Sequence, residues 1–422
     1  MNPSFVRLLV LVLTLSLAGC ADRPAPSSTV QPGGERLPLI LVSLDGFRPD
    51  YLERGLTPTL SGLAAAGVAG EGMRPAFPSL TFPNHYTLVT GLYPDHHGIV
   101  ANRMEDPALA PKSVFSLGDR DAVEDPRWWN GATPLWVTAH RQGLRTATMF
   151  WPGSDVAIQG VRPDYWEKFD ASLPPERRVD KVLEWLDLPV GQRPDFITLY
   201  FEHVDTAGHR FGPQSEGVDQ SLRQVDGALA RLLAGLQQRH LADRVNLVIV
   251  ADHGMTLTAL DRIVFLDDLV DIDTVHVVNS GPEAELSPLP GHEAAVEAGL
   301  LALHEHVACW RKEDIPARLH YGSHPRVPSL LCLADSGWLV ESRADLRREL
   351  SKGKPFIVGR HGYDPAVPDM AALFIAKGPA FRERLRQPPF DNVDLYPLLT
   401  RLLGLVPEPN DGKAETLAEI LW

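Results

Sequence analysis

The feature that most constrains the fold is a repeated pattern in which an apolar run leads into an acidic residue. The runs, each with the acidic residue that follows it, are Leu37–Leu44 with Asp45, Phe196–Phe201 with Asp205, and Val245–Ala251 with Asp252. Nearly continuous apolar runs of this length are typical of strands that are buried on both faces in a parallel sheet. The pattern therefore predicts a buried parallel sheet with polar residues at the carboxyl ends of its strands.

Helical patterns separate these runs, and a fourth apolar run, Met370–Ala376, lies near the end of the chain. The predicted helices are Thr57–Ala66, Pro134–Gln142, Arg177–Trp185, Gly217–Gln238 and Val393–Leu403. Alternation of helices with buried strands predicts an α/β fold with a doubly wound, mostly parallel central sheet and helices on both faces. In such sheets ligands bind outside the carboxyl ends of the strands.

Residues 263–354 read differently and predict an inserted α+β subdomain. The expected elements are a strand at Thr274–Asn279, a helix at Glu293–Cys309 and a strand at Leu330–Leu333. The remainder of residues 37–422 is long enough for one large α/β domain around this insertion. Cys309 and Cys332 could form a disulfide or remain two buried thiols.

The first twenty residues predict export. Arg7 precedes the apolar run Leu8–Leu17, which is too short to span a bilayer. The sequence Leu17-Ala18-Gly19-Cys20 resembles the lipobox of bacterial lipoproteins. That resemblance implies a signal peptide at 1–19, a lipid on Cys20, and an anchor in the outer membrane facing the periplasm. An ordinary secretory signal is the alternative, and residues 20–36, rich in Pro, Ser and Gly, predict a flexible tether.

The charge of the chain limits its partners. The net charge is −14 and the sequence has no long basic run, which argues against a nucleic-acid-binding surface. An anionic substrate would therefore have to meet a positive field from helix ends or bound metal. The sequence gives no indication of the oligomeric state.

Thr81 lies in the stretch AFPSLTFPNHYTLVTGLYPDHHG, residues 76–98. Pro83 suits the first turn of a helix and Gly91 suits a helix end, so Thr81 is expected at or just before a helix N-terminus. Free N–H groups and the helix dipole favour a phosphate there. The alternative is that Thr81 is an ordinary helix cap.

Three carboxylates and three imidazoles follow or precede the predicted strands and form the candidate metal site. They are Asp45, Asp205, His209, Asp252, His253 and His361. Oxygen and nitrogen ligands of these types suit zinc, with manganese and iron as alternatives. Six ligands would serve two ions with three ligands each, and such a pair can activate a threonine hydroxyl and clamp an in-line phosphoryl displacement.

Taken together, six segments resemble the nucleotide pyrophosphatase/phosphodiesterase family of the alkaline phosphatase superfamily, in its bacterial form. They are LVSLDGFRPDYL (41–52), PSLTFPNHYTLVTGLYPDHHGIVAN (78–102), FWPGSDV (150–156), YFEHVDTAGHRFGP (200–213), VIVADHGM (248–255) and HGYDPAVPDMAALFIAKGPAF (361–381). The resemblance spans nearly the whole chain after the tether, in one order. It implies an alkaline phosphatase-like fold and a two-zinc phosphodiesterase.

The resemblance also assigns roles to residues. It implies one zinc ion held by Asp205, His209 and His361, and another held by Asp45, Asp252 and His253. Thr81 would be the nucleophile of a two-step displacement through a phosphothreonine that releases nucleoside 5′-monophosphates. Asn102 would donate a hydrogen bond to a phosphate oxygen.

Aromatic residues are expected to form the substrate pocket. Phe82 and Tyr165 match the residues that flank this pocket in the family, and Tyr200 is near enough to line it. The stretch 150–166 resembles the loop of nucleotide-hydrolysing members, which favours a nucleotide or another small phosphodiester as substrate. The alternatives are a phosphonoacetate or phosphomonoester hydrolase of the same superfamily, or an inactive ligand-binding lipoprotein.

Overall fold

The structure is a computed structural model that describes residues 37–110, 113–351, 356 and 358–422. The predicted signal peptide at 1–19, the lipid site at Cys20 and the tether at 20–36 lie outside the described residues, as does the predicted end of the insertion at Lys354. No helix in the described ranges is long and apolar enough to cross a membrane.

Twenty strands lie in the described part of the chain. In chain order they are β1 Leu39–Leu44, β2 Val68–Gly70, β3 Met73–Arg74, β4 Arg103–Glu105, β5 Val114–Ser116, β6 Thr146–Met149, β7 Tyr165–Glu167, β8 Phe196–Phe201, β9 Asn246–Val250, β10 Thr256–Leu257, β11 Ile263–Phe265, β12 Val275–Asn279, β13 Glu283–Pro288, β14 Val307–Arg311, β15 Leu330–Ala334, β16 Leu339–Glu341, β17 Gly359–Arg360, β18 Phe374–Lys377, β19 Leu385–Gln387 and β20 Phe390–Asp391. Eight of them form the central sheet, in the order β19-β2-β18-β9-β1-β8-β6-β7.

The central sheet is mostly parallel, as predicted. Strand β1 pairs in parallel with β8 on one side and β9 on the other, and every residue of these three strands is buried. Strand β18 alone runs against its two neighbours in this sheet. The buried apolar runs of the sequence thus became its middle strands.

Twelve α-helices lie in the same described ranges. They are α1 Pro58–Ala66, α2 Thr81–Thr90, α3 Pro94–His97, α4 Arg120–Val123, α5 Leu135–Arg141, α6 Pro175–Leu186, α7 His203–Phe211, α8 Glu216–Gln238, α9 Leu266–Leu269, α10 Glu293–Leu300, α11 Arg343–Ser351 and α12 Leu395–Leu403. Helices α1, α6, α7 and α8 pack together as one layer and α2, α5 and α12 as another, so the sheet carries helices on both faces.

Helix α2 is the element that presents Thr81. It begins at Thr81 and ends before Gly91, whose φ of 68° is the left-handed conformation that glycine adopts at helix ends. Leu80 is the N-cap, and no side chain caps the helix there. Thr81 is therefore the first helical residue, and its hydroxyl is not used as a cap.

The prediction for the fourth apolar run was wrong in its bounds. The strand covers Phe374–Lys377, and Pro368–Met370 form a 3-10 turn instead. The carbonyl of Met370 accepts a hydrogen bond from the Gly254 N–H, and that of Leu373 accepts one from Ala251. Leu373 thus continues the pairing with β9 by one residue, whereas Met370 packs against the loop after β9. Periodicity along the chain cannot show where this pairing begins.

Within the predicted insertion, β12, β13, β15 and β14 form a separate antiparallel sheet in that order, called the inserted sheet below. Cys309 and Cys332 lie opposite each other on β14 and β15 and are joined by a disulfide. The buried core of this region also contains Tyr363 and Met370, which follow the predicted boundary. The extent of the subdomain stays a prediction.

The predicted helix at Glu293–Cys309 was too long. Helix α10 ends at Leu300, and the residues from Val307 onwards belong to β14. The side chain of Leu303 is fully exposed, and the His304 imidazole donates a hydrogen bond to the Gly299 carbonyl at the helix end. The apolar residues from Val307 to Trp310 thus belong to a strand and not to the end of the helix.

Candidate metal centre

The predicted ligands gather at the carboxyl ends of the middle strands β1, β8 and β9. This end of the central sheet is called the ligand edge. The N–H of Asp45 bonds to the Phe201 carbonyl and so continues the ladder between β1 and β8. Asp252 follows β9, and Asp205 lies in the first turn of α7 directly after β8. Because these three strands are adjacent and parallel, their carboxyl ends bring the three aspartates together.

The histidines reach the ligand edge by different routes. His209 lies four residues after Asp205 on α7, which places both on one helix face. His361 comes from the segment before β18. Because β18 runs opposite to its neighbours, its first residue lies at their carboxyl ends, and the preceding segment passes along the ligand edge. The Nδ1 atoms of His209 and His361 bond to the carbonyls of Gly359 and Ser79, at 2.7 and 2.8 Å.

One group of ligand atoms comes from Asp205, His209 and His361. The two Nε2 atoms are 3.1 Å apart, and Asp205 Oδ1 lies 3.4 Å from His209 Nε2 and 3.5 Å from His361 Nε2. The three atoms form a nearly equilateral triangle. Since both Nδ1 atoms are bonded to carbonyls, the Nε2 atoms are free to be ligands.

A second group surrounds His253 Nε2. This atom lies 3.0 Å from Asp252 Oδ2, 3.5 Å from Asp45 Oδ1 and 3.2 Å from Thr81 Oγ1. The His253 and His361 rings are stacked with centroids 3.6 Å apart, so the two groups are adjacent. The structure thus brings all six predicted ligands and Thr81 to one place.

These residues fit a bound cation. Asp45 Oδ1, Asp205 Oδ1 and Asp252 Oδ2 are buried and have no hydrogen-bond partner among the described residues. Ligands about 2.0–2.1 Å from a tetrahedral zinc ion lie roughly 3.3–3.4 Å from one another. The separations of 3.0–3.5 Å in both groups match that spacing.

The electrostatics of the protein alone are unfavourable at this edge. Burial and the neighbouring carboxylates Asp252 and Asp205 raise the pKa of Asp45 well above its usual range. Burial also lowers the pKa of His361, and His253 and His209 lower it further. Burial alone would raise the pKa of Asp252, but His253 and His85 more than offset it and hold that pKa well below its usual range. A cation would relieve the carboxylate repulsion.

His85 is a part of the site that sequence reasoning missed. It is fully buried on α2, with Nδ1 3.3 Å from Asp252 Oδ2 and Nε2 2.8 Å from the Ser43 hydroxyl. One atom each of Asp45, His85 and Asp252 lie close enough together to hold a metal. Nothing in the pattern PNHYT distinguishes such a histidine from one in a core.

Asn102 lies beside the start of α2. Its side-chain carbonyl accepts a hydrogen bond from the Phe82 N–H at 2.9 Å. This bond leaves the Nδ2 amide as the donor next to Thr81. It also occupies one backbone N–H at the helix start that a phosphate would otherwise use.

Two of the three aromatic residues expected in the substrate pocket, Tyr200 and Phe82, lie at the ligand edge. Tyr200 is buried and donates a hydrogen bond from its hydroxyl to Asp45 Oδ2 at 2.6 Å. Phe82 is partly buried and packs edge-on against Phe115, with ring centroids 5.7 Å apart. Both therefore lie at the ligand edge.

Tyr165 does not lie at the ligand edge. The sheet register aligns it, through β6 and β8, with Ile40, five residues before Asp45. At about 3.3 Å per residue that is roughly 16 Å below the edge. Its ring stacks on Trp185 and its hydroxyl bonds to a backbone carbonyl, so it packs on α6 instead.

Phe169 is the aromatic residue of this segment that approaches the site. It follows β7, is 39% exposed, and its ring centroid is 6.0 Å from that of Tyr200. Both Tyr165 and Phe169 are aromatic residues in one short stretch, and only the register of β7 decides which of them stands above the edge.

Comparison with known proteins identifies relatives of the chain. A sequence model of the family "Type I phosphodiesterase / nucleotide pyrophosphatase" matches residues 39–364. Bovine ectonucleotide pyrophosphatase/phosphodiesterase family member 3 is 39% identical over 395 residues, which is 91% of this chain and 44% of the relative. A venom phosphodiesterase of Crotalus durissus collilineatus is 39% identical over 95% of this chain and 48% of its own length. The chain thus spans about half the length of these relatives.

Other relatives match over more of their length. An uncharacterised pyrophosphatase/phosphodiesterase of Schizosaccharomyces pombe is 38% identical over 89% of this chain and 79% of its own. Murine ectonucleotide pyrophosphatase/phosphodiesterase 5, solved as an inactive threonine-to-alanine variant in complex with AMP, superimposes with a TM-score of 0.85. That match has 35% identity and covers 92% of this chain and all of the murine chain.

Proposed function

We propose that this chain, which belongs to the type I phosphodiesterase/nucleotide pyrophosphatase family, hydrolyses phosphodiester and pyrophosphate bonds of nucleotides and releases nucleoside 5′-monophosphates. The observation that carries the proposal is the position of the Thr81 hydroxyl. Thr81 Oγ1 lies 3.2 Å from His253 Nε2, at the start of a helix and beside two groups of ligand atoms. A hydroxyl so placed suits a nucleophile in phosphoryl transfer.

We propose two zinc ions as the cofactor. Asp205, His209 and His361 would hold one, and Asp45, Asp252 and His253 the other. Bound there, zinc would lower the pKa of the Thr81 hydroxyl and offset the charge of the phosphoryl group. The matching separations and the buried carboxylate oxygens without partners support this assignment.

The chain's own residues would then carry out two displacements. Thr81 Oγ1 attacks phosphorus and gives up its proton, the bond to the leaving group breaks, the leaving group departs with a proton, and a phosphothreonine that still carries the nucleoside forms. Water then attacks phosphorus from the side that the leaving group vacated, and Thr81 recovers its hydroxyl proton as the nucleoside monophosphate departs. The Asn102 amide would donate a hydrogen bond to a non-bridging phosphate oxygen in both steps. The murine neighbour's inactive variant lacks one threonine, and we propose that Thr81 corresponds to it.

The nucleotide base would lie between Phe82 and Phe169. Phe82 follows the nucleophile directly, and Phe169 is the exposed aromatic residue above Tyr200. Stacking of a base on an aromatic face contributes about 1–3 kcal/mol per base. A phosphodiester carrying a base would therefore be preferred to a small phosphomonoester.

The experiment compares two substrates with purified protein lacking residues 1–20. We expect thymidine 5′-monophosphate p-nitrophenyl ester to be cleaved faster than p-nitrophenyl phosphate, and only with zinc. Thr81→Ala should lower diester hydrolysis by at least about a thousandfold without changing the zinc content. Thr87→Ala, on the same helix but bonded to His97, is the matched control and should retain activity. Faster monoester cleavage would favour a phosphatase, and activity on neither substrate would favour the phosphonoacetate or binding-only alternatives.

We also propose that the protein is exported and lipid-anchored through Cys20. Strand β1 begins at Leu39, at the amino ends of the parallel strands, whereas the ligands lie at their carboxyl ends. The attachment point and the ligand edge would then lie at opposite ends of the domain. Labelling with radioactive palmitate in cells should mark the wild type and not Cys20→Ala, and labelling of both would refute the anchor.

A further inference from the structure

His85 connects the nucleophile's helix to the ligand edge. It lies four residues after Thr81 on α2 and is fully buried. Its Nδ1 atom is 2.9 Å from the Thr81 carbonyl oxygen and 3.3 Å from Asp252 Oδ2. Its Nε2 atom is 2.8 Å from the hydroxyl of Ser43 on β1. One ring thus touches the main chain of the nucleophile, a predicted metal ligand and the central strand.

The hydrogen bonds of His85 define its proton position. A carbonyl oxygen can only accept a hydrogen bond, so Nδ1 carries the proton and donates a hydrogen bond to the Thr81 carbonyl oxygen. The carboxylate oxygen Asp252 Oδ2 lies 3.3 Å from the same nitrogen, which is close enough for an electrostatic contact. The Ser43 hydroxyl can then donate to Nε2. Both ring nitrogens are occupied by protein groups, so His85 orients other groups rather than serving as a ligand itself.

Packing fixes the plane of the ring. The rings of Trp151 and Tyr200 contact it edge-on, with centroids 5.0 and 5.1 Å from that of His85. The Trp151 indole N–H also donates to the His85 backbone carbonyl. A ring in contact with both cannot turn away from Thr81 and Asp252 without moving two large buried side chains.

We propose that His85 is a positioning residue that holds Thr81 and Asp252 in register for phosphoryl transfer. The proposal rests on the proposed function for its effect on turnover. Loss of the Nδ1–H would remove the hydrogen bond to the Thr81 carbonyl and the imidazole nitrogen 3.3 Å from Asp252 Oδ2, so the first turn of α2 would be free to shift relative to Asp252. Displacements of this kind cost rate because reacting groups must be placed within a fraction of an ångström.

The test uses three variants of the full mature chain. His85→Gln can reach Ser43 but places no N–H at the Nδ1 position, whereas His85→Asn places an amide N–H near that position. His97→Gln is the matched control, because His97 is another fully buried histidine of this region, bonded to Thr87 and to the Ile99 N–H. Each is measured for kcat and KM on the nitrophenyl diester, for zinc affinity by competition with a chelator, and for melting temperature.

We expect His85→Gln to lower kcat and zinc affinity each by about 10–100-fold with little change in KM, in line with other partners of metal ligands. His85→Asn should recover most of that loss, and His97→Gln should lose melting temperature but keep kcat and zinc affinity. Equal losses of kcat in His85→Gln and His97→Gln, or a His85→Gln variant within twofold of wild type in zinc affinity, would overturn the proposal. If wild type cleaves no diester, the proposed function fails while the zinc measurement still tests His85.

Discussion

The ligand edge and the inserted sheet each hold three largely buried acidic side chains, but only the ligand edge surrounds them with imidazoles. In and beside the inserted sheet, the three are Glu283, Glu285 and Glu341, and each is at most 6% exposed. Neutral donors serve two of them there: Tyr321 and Asn279 bond to Glu285, and Ser280 bonds to Glu341. No imidazole nitrogen approaches these carboxyls within the described contacts.

The difference shows how the protein keeps buried carboxyl groups. Burial raises the pKa of Glu283 and Glu341, and it raises that of Glu285 to about 7. These side chains are thus suited to being protonated. At the ligand edge, imidazoles hold the pKa of Asp252 low, so at least one carboxylate stays charged and ready for a cation. In this protein the buried acidic residues that fit a metal are those on which imidazoles converge.

The largest expected effect comes from removing a carboxylate at the ligand edge. Asp205→Asn removes a charged ligand, so we expect loss of one bound zinc and at least about a thousandfold loss of diester hydrolysis. Zinc content is measured by elemental analysis alongside activity. The matched variant, Glu341→Gln in the inserted region, should keep both. Equal loss of zinc in the two variants would show that the regions do not differ as described.

A second effect concerns the stability of the inserted sheet as a function of pH. The pKa of Glu285 is about 7 in the folded protein, above its ordinary value of 4.5, so the folded state binds the proton more tightly than the unfolded state. Its contribution is fully present below pH 4.5 and is lost as pH rises through 7, a change on the order of 3 kcal/mol. The amide of Glu285→Gln does not titrate, so the variant lacks this pH-dependent contribution.

Urea unfolding of wild type and Glu285→Gln between pH 4.5 and 8 measures this contribution. We expect the free energy of unfolding of wild type to fall relative to that of the variant across this range. Glu297→Gln is the control, because Glu297 lies on the surface beside Arg311 and its pKa is lowered rather than raised. A constant difference between wild type and Glu285→Gln would mean that Glu285 is charged when folded.

The smallest expected effect concerns the aromatic residue that stacks on the base at the ligand edge. Phe169→Ala should raise KM for the nitrophenyl nucleotide about 5- to 150-fold, which corresponds to the 1–3 kcal/mol of one stacked base. Tyr165→Ala should leave KM unchanged and lower the melting temperature, because Tyr165 packs on Trp185. The reverse result would place Tyr165, and not Phe169, beside the base.

The amino-acid sequence by itself determined the fold class and the position of the ligands. Strands β1, β8 and β9 are long apolar runs, so their burial and parallel packing follow from hydrophobicity along the chain. Asp45 and Asp252 come within two residues of the ends of their strands, and Asp205 and His209 share a helix face by their spacing. These relations are local, and local patterns are what a sequence records directly.

Only the tertiary structure decided the remaining features. The antiparallel direction of β18 brings His361 to the ligand edge, and the register of β7 places Phe169 there instead of Tyr165. His85 acquires its role from Ser43 and Asp252, which are 42 and 167 residues away in the chain. Each outcome depends on pairing between segments that are distant in sequence, and the energy of such contacts is set by geometry that no local pattern contains.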